Sequence, residues 1–224
     1  MRDLGIYVDT ELTWTTHIQI TSSKAKQISA WILSVFYSRD RTTMLTLFKS
    51  LVCPILEYCS EIWSPHLIKD IYEIEKIQRS FTYRIKGVKE LNYWERLKEL
   101  KIMSLQRRRE RNIIICLWKI KNGLSPNSIN MEFKYNTRKV AIKAVLKPLP
   151  KIKGKVLTTY EESFVIRSAK LWNCLPAKLT FLTSLNVFKV SLDKFLLKLP
   201  DQPPIPGYVQ NSKNSIVEQS LCLS

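Results

Sequence analysis

Apolar residues recur at two different spacings along this chain. At the N-terminus Leu4, Ile6 and Val8 alternate with Gly5, Tyr7 and Asp9, a period of two that predicts a strand, and the segment "DTELTW" then ends it. No second run of that period occurs in the next hundred residues, so the strand is expected either to pair with a distant segment or to be an orphan whose sheet is missing. From His17 to Asn122 the spacing lengthens to three or four, the period of helices packed on one face. Ile18, Ala25, Ile28, Ile32 and Val35 trace one stripe. Leu45, Phe48, Leu51, Val52, Ile55, Cys59 and Ile62 trace a second, which Pro54 should kink or divide. Ile71, Ile74, Ile77, Phe81 and Ile85 trace a third. There Asp70, Glu73 and Glu75 come early and Arg79, Arg84 and Lys86 late, as the helix dipole favours.

"YWERLKEL" predicts a short helix, and a longer one starts near Ser104 with two unlike halves. Residues 113–118 are apolar on every side and should be enclosed by neighbours. Arg107, Arg108, Arg109 and Arg111 instead crowd the positive end of the dipole, offset locally only by Glu110. That costs about 0.3–1 kcal/mol per charge, so an external anion would relieve it. After the loop "NGLSPN" the character changes: between Lys134 and Lys155 stand eight Lys or Arg and no acidic residue. Pro148, Pro150 and Gly154 suggest short extended pieces there. A helix is predicted from near Tyr160 to Leu175, and a last one over "SLNVFKVSLDKFLLKL", capped by Ser184 and burying Val187, Phe188, Leu192 and Phe195. The proline-rich segment after Pro200 is expected to be disordered. The fold class is therefore mainly α: a helical bundle with an orphan N-terminal strand and a small basic extended segment followed by two helices.

Composition sharpens this picture. The 224 residues, 45% of them hydrophobic, suffice for one or two domains with a real core. Lys and Arg number 36 against 19 acidic residues, a formal charge of +17, as expected where the partner is a polyanion. No secretory signal opens the chain, and Gln27 to Ser38, its longest uncharged apolar run of interest, falls short of the roughly 20 residues that span a bilayer. That run reads as a buried helix face, and the expected location is intracellular, without a membrane partner. The five cysteines, Cys53, Cys59, Cys116, Cys174 and Cys222, are widely spaced, lack a C-x-x-C pair and read as reduced, mostly buried thiols.

Chemistry of its own is not expected. Metal-dependent phosphoryl transfer needs converging carboxylates, and the acidic residues stand singly; Asp9 reads as a solvated strand end. His17 and His66 have no nucleophile motif beside them, and five glycines form no phosphate-binding loop. No cofactor and no metal are expected. What remains is binding. Arg107, Arg108, Arg109 and Arg111, with Lys139, Lys143, Lys151, Lys153 and Lys155, are the candidate contacts to nucleic-acid phosphates, arginine by bidentate bonds and lysine by mobile charge. Tyr135 and Tyr160 are candidate stacking residues. In "RSAKLWNCLP", Trp172 reads as a core anchor, Asn173 as a partner for backbone groups at a helix end, and Pro176 as the stop.

The series "LGIYVDTELTWTTHI", "LVCPILEYCSEIWSP", "IEKIQRSFTYRI", "YWERLKELKIMSLQRRRERNIIICLWKIKNG", "FVIRSAKLWNCLP" and "SLNVFKVSLDKFL", in that order, resembles the C-terminal part of non-LTR retrotransposon reverse transcriptases of the jockey and CR1 type. The likeness runs from about residue 3 to 199. It implies that Gly5 and Ile6 border a catalytic palm, and it divides the chain into a strand remnant (1–16), a thumb-like helical domain (17–125), a basic C-terminal extension (126–199) and a disordered tail (200–224). It implies partners in RNA, DNA or an RNA–DNA duplex. Arg107, Arg108, Arg109 and Arg111 match the family's L-x-x-R-R segment, and Trp172, Asn173 and Pro176 its W-N-x-L-P mark. The family's catalytic aspartates, and the Mg2+ they hold, belong to a palm upstream of every motif present. The expectation is a fragment of an RNA-directed DNA polymerase that binds template–primer backbone without catalysis. An interaction module, or an inert relic that self-associates through the unpaired strand Leu4 to Val8, is the alternative.

Overall fold

A computed structural model describes residues 1–10, 12–138, 140–145, 160–161, 163–206 and 214–221. They are mainly helical, with two small antiparallel strand pairs. The chain divides into two compact units, one formed by 1–106 with 201–211 and the other by 107–200 with 212–224.

The first unit opens on a hairpin, not on an orphan strand. β1 (Arg2–Asp3) pairs with β2 (Ile6–Tyr7), Arg2 opposite Tyr7 and Asp3 opposite Ile6. The turn between them has positive φ at both central residues, Leu4 at 43° and Gly5 at 87°, the sign pattern of a tight hairpin turn. The partner that the sequence pattern lacks is the preceding dipeptide, so the segment Leu4 to Val8 is not an unpaired strand. Asp9 is not merely solvated: its carboxylate accepts bonds from the Thr13 amide (2.9 Å) and hydroxyl (2.7 Å), turning the chain toward the first helix.

Helix α1 (Thr15–Val35) lies against α5 (Ile68–Thr82). Ile18, Ala25 and Ile32 of α1 are buried with Ile74, Ile77 and Phe81 of α5, as the three-and-four spacing requires. The second apolar stripe is divided: α2 (Arg41–Leu47) runs into a π-helical turn (Phe48–Val52), then α3 (Cys53–Glu57) and α4 (Ser60–Trp63). Pro54 occupies the first turn of α3, where no amide hydrogen is needed. The C-terminal end of α1 departs from the expected buried face, because Trp31 and Val35 are about half exposed and Tyr37 lies open to solvent. Helix α6 (Tyr93–Glu99) opens on a capping box between Asn92 and Glu95.

His17 is buried on α1, edge-on to Trp63 with ring centroids 4.9 Å apart. Its Nδ1 accepts the Tyr7 amide (3.3 Å), which leaves Nε2 to carry the proton toward Thr21 Oγ1 (3.4 Å). Burial first, and the Lys24 charge second, lower its pKa below the ordinary 6.5. The neutral ring is the folded form, so its contribution is whole above pH 6.5 and is lost as pH falls below that value. Melting temperatures taken between about pH 7.5 and 5.5 should fall on the acid side, and His17→Gln should flatten that dependence.

The second unit contains helix α7 (Leu105–Lys121) from Arg107 onward, the boundary falling in its first turn. The expected boundary near residue 125 is thus displaced to residue 106. Ile113, Ile114, Ile115, Leu117 and Trp118 are buried. A hairpin, β3 (Phe133–Asn136) and β4 (Ala141–Ala144), is followed by α8 (Phe164–Asn173), α9 (Ala177–Thr180), α10 (Leu185–Leu196) and α11 (Ile216–Leu221). Ser184 stands at the N-cap of α10 without a side-chain bond, and Val187, expected inside, is half exposed, while Phe188, Leu192 and Leu196 are buried.

Trp172 joins hairpin to helices. Fully buried, it donates from Nε1 to Ile142 O (2.9 Å) and meets Phe133 edge-on at 5.5 Å and Phe188 stacked at 6.3 Å. Asn173 acts as a strand partner for Ala144, accepting its amide (2.9 Å) and donating to its carbonyl (3.0 Å). Pro176 begins the turn into α9.

The described residues after Pro200, 201–206 and 214–221, do not behave as a disordered tail. In the first unit Pro203, Pro204 and Ile205 are buried, Ile205 beside Tyr93 and Leu97, and Trp94 Nε1 donates to Pro203 O (3.0 Å). In the second unit α11 follows directly on the buried Asn214.

Candidate nucleic-acid interface

The arginine run of α7 does not form a phosphate-facing surface. Arg107 is fully buried, and its Nη2 donates to Pro200 O (2.9 Å), Asn214 O (2.8 Å) and Gln219 Oε1 (3.2 Å). Its Nη1 lies 3.7 Å from Glu110. Arg109 is buried as well, at 1% exposure. Arg111 is held bidentately by Asp193 of α10, with Nη2 2.9 Å from Oδ2. Arg108 is part-exposed. A guanidinium enclosed by its own chain cannot reach a phosphate, so Arg107 and Arg109 are corrected from phosphate contacts to core residues and Arg111 to a tie between helices.

The dipole at the start of α7 is also answered from within. In the first unit Glu75, fully buried on α5, accepts the Gln106 amide (2.6 Å), and Asp201 accepts the amide and hydroxyl of Ser104, each at 2.7 Å. Glu75 accepts Tyr93 Oη as well (2.7 Å), and burial together with that carboxylate raises the Tyr93 pKa well above its ordinary value.

Of the lysines expected to touch phosphate, Lys143 donates to Asn173 O (2.6 Å). Lys139, Lys151, Lys153 and Lys155 lie outside the described residues. Tyr135 is 56% exposed, 6.1 Å from Phe181, and Tyr160 is part-exposed.

The first unit contains a basic cleft that the sequence pattern does not announce. Its volume is about 1070 Å³, and its floor is the polar face of α5. Lys69, Tyr72, Glu73, Lys76, Arg79 and Ser80 follow one another at helical spacing, roughly 16 Å from Lys69 to Ser80 at about 1.5 Å per residue. Tyr83, Arg84, Lys89 and Asn92 continue the wall, and Ile18, Leu91 and Ile205 add apolar surface. Six cations line the cleft against three carboxylates. One of the three, Glu73, is engaged by Lys26 at 3.0 Å, and Asp70 is buried, takes a bond from Thr15 and has a pKa raised chiefly by that burial. Lys69, Lys76, Arg84 and Lys89 are exposed.

Arg96 anchors the inner end. Nearly all of it is buried, with Nη1 donating to Leu91 O (2.8 Å), Nη2 to Arg79 O (3.3 Å), and its guanidinium 5.6 Å from the Tyr83 ring centre and 5.8 Å from that of Tyr93. Lys89 Nζ lies over the Tyr83 ring at 5.6 Å. The periodicity that locates the buried stripe of α5 also defines this opposite face; of the cleft's cations the sequence pattern marks only Arg79 and Arg84, as dipole partners, and Lys89 and Arg96 lie beyond the helix. Among the described residues no group of three or more His, Cys, Asp or Glu is placed to hold a metal, and no helix is long and apolar enough to cross a membrane. Compared with family models, with curated proteins and with solved structures, the chain matches none.

Proposed function

We propose that the protein binds nucleic acid through its phosphate backbone, without catalysis, and that the cleft along α5 is the contact surface. The observation that carries this reading is the alignment of Lys69, Lys76, Arg79, Arg84 and Lys89 along one groove, with tyrosines between them, in a chain of net charge +17. The likeness to the thumb and C-terminal extension of a non-LTR reverse transcriptase points the same way, toward a module that holds nucleic acid for a polymerase. Backbone contacts release counterions, so affinity falls steeply with salt.

Fluorescence anisotropy with a labelled RNA–DNA duplex at two ionic strengths tests this. Replacing Lys76, Arg84 and Lys89 with Glu should weaken binding roughly tenfold or more and flatten the salt slope by about one for each cation removed. All three are exposed, so the fold should survive. The second reading, an interaction module, is favoured by Trp31, Val35 and Tyr37 at the open end of α1. No binding at low salt, together with concentration-dependent oligomers on size exclusion, would replace the first reading with the second.

A further inference from the structure

The cleft contains more than charge, and the excess suggests which form of nucleic acid fits it. A duplex offers its partner phosphates and groove edges, its base faces being stacked inside. Phosphates alone call only for cations spaced along a surface or groove. Here the cations border a recess of about 1070 Å³ whose lining includes Ile18, Leu91 and Ile205. Its lining includes the Tyr83 ring, 41% exposed, with the Arg96 guanidinium, which Leu91 O and Arg79 O hold in place, 5.6 Å from the ring centre. The group over the ring that is able to leave is Lys89, an exposed side chain on a flexible stem.

We infer that the cleft takes single-stranded RNA or DNA, with one unpaired base stacked on Tyr83 and the flanking phosphates on Lys76, Arg84 and Lys89. Arrival of the base displaces Lys89 from the ring and leaves its ammonium beside the strand, where it meets a phosphate. Arg96 does not touch the ligand; it is a positioning residue that fixes the ring from within. Every base has a π-face, so the site is indifferent to sequence. This inference rests on the reading of the cleft as a phosphate-binding surface, and the two can fail separately.

The probes are a labelled oligo(dT) strand, an abasic strand of the same length carrying the same phosphates, and a blunt duplex of that length. The parent chain should bind the base-bearing strand about tenfold more tightly than the abasic one, the size expected of one stacked base. Tyr83→Ala should bring the two to equal affinity while leaving duplex binding and the salt slope unchanged, and Tyr83→Phe should keep the preference. Parent affinities that do not distinguish base-bearing from abasic strands, or a preference that survives Tyr83→Ala, would overturn the inference yet leave the phosphate-binding reading intact. Binding of none of the three probes at low salt would overturn both. Circular dichroism melts of Tyr83→Ala guard against a fold effect, and the Tyr83→Phe arm reads the stacking with the ring retained.

Discussion

Trp172→Ala should cost the second unit about 3–5 kcal/mol, the range for emptying a buried aromatic site. Loss of packing against Phe133 and Phe188 is one part of this. The other is the Ile142 carbonyl on β4, which loses its indole donor at a part-buried site, a penalty of up to about 1–3 kcal/mol where water does not replace it. Against a usual total of about 5–15 kcal/mol for a folded domain, that change leaves the hairpin and α8 only marginally held. Hydrogen exchange should show it as reduced protection of the α8 and β4 amides, and urea titration as a lower midpoint. Asn173→Ala should cost less, since it removes only the two bonds to Ala144. An unchanged midpoint in Trp172→Ala would mean that the joint between hairpin and helix lies elsewhere.

The features most legible in the sequence were those that repeat. Apolar spacing of three or four located α1 and α5, because a helix must turn its apolar residues to one side whatever it packs against, and an all-round apolar run located the buried half of α7. The hairpin at the N-terminus was hidden since its turn places Leu4, not the usual Asn or Gly, at positive φ. The segment after Pro200 misled for another reason. Proline density predicts irregular backbone, which Asp201–Pro206 has, but irregular backbone packs perfectly well when Trp94 supplies a donor and Tyr93 and Leu97 supply a surface for Ile205. Charge was the least legible quantity. Its sum of +17 is the ground for expecting an anionic partner, but placing each cation requires knowing which carbonyls and carboxylates lie nearby in space. For Arg107 these are nearly a hundred residues or more away in sequence, at Pro200 and Asn214; for the start of α7 they are Glu75 and Asp201. In the cleft the reverse holds: nothing in the sequence pattern singles out Lys76 or Lys89, and only the fold sets them in one cleft with Tyr83.

Arg107→Glu separates these two populations of cations. Were Arg107 a surface contact, reversal would weaken nucleic-acid binding and leave the helical circular dichroism as it was. In the structure it is fully buried, and reversal withdraws the donor from Pro200 O, Asn214 O and Gln219 Oε1 while setting a second carboxylate beside Glu110. Breaking a buried ionic arrangement in this way costs about 3–5 kcal/mol, which for a chain of this length lowers the melting temperature by roughly 6–20 °C. Arg107→Lys should fall between parent and Glu, since an ammonium keeps the charge but cannot reproduce a planar fork directed at several acceptors. The exposed Lys76→Glu should do the opposite, weakening binding at an unchanged melting temperature. Thermal melts and anisotropy on the three variants give the contrast directly. An Arg107→Glu chain that melts like its parent but no longer binds would return the α7 arginines to the surface and remove the cleft from its role.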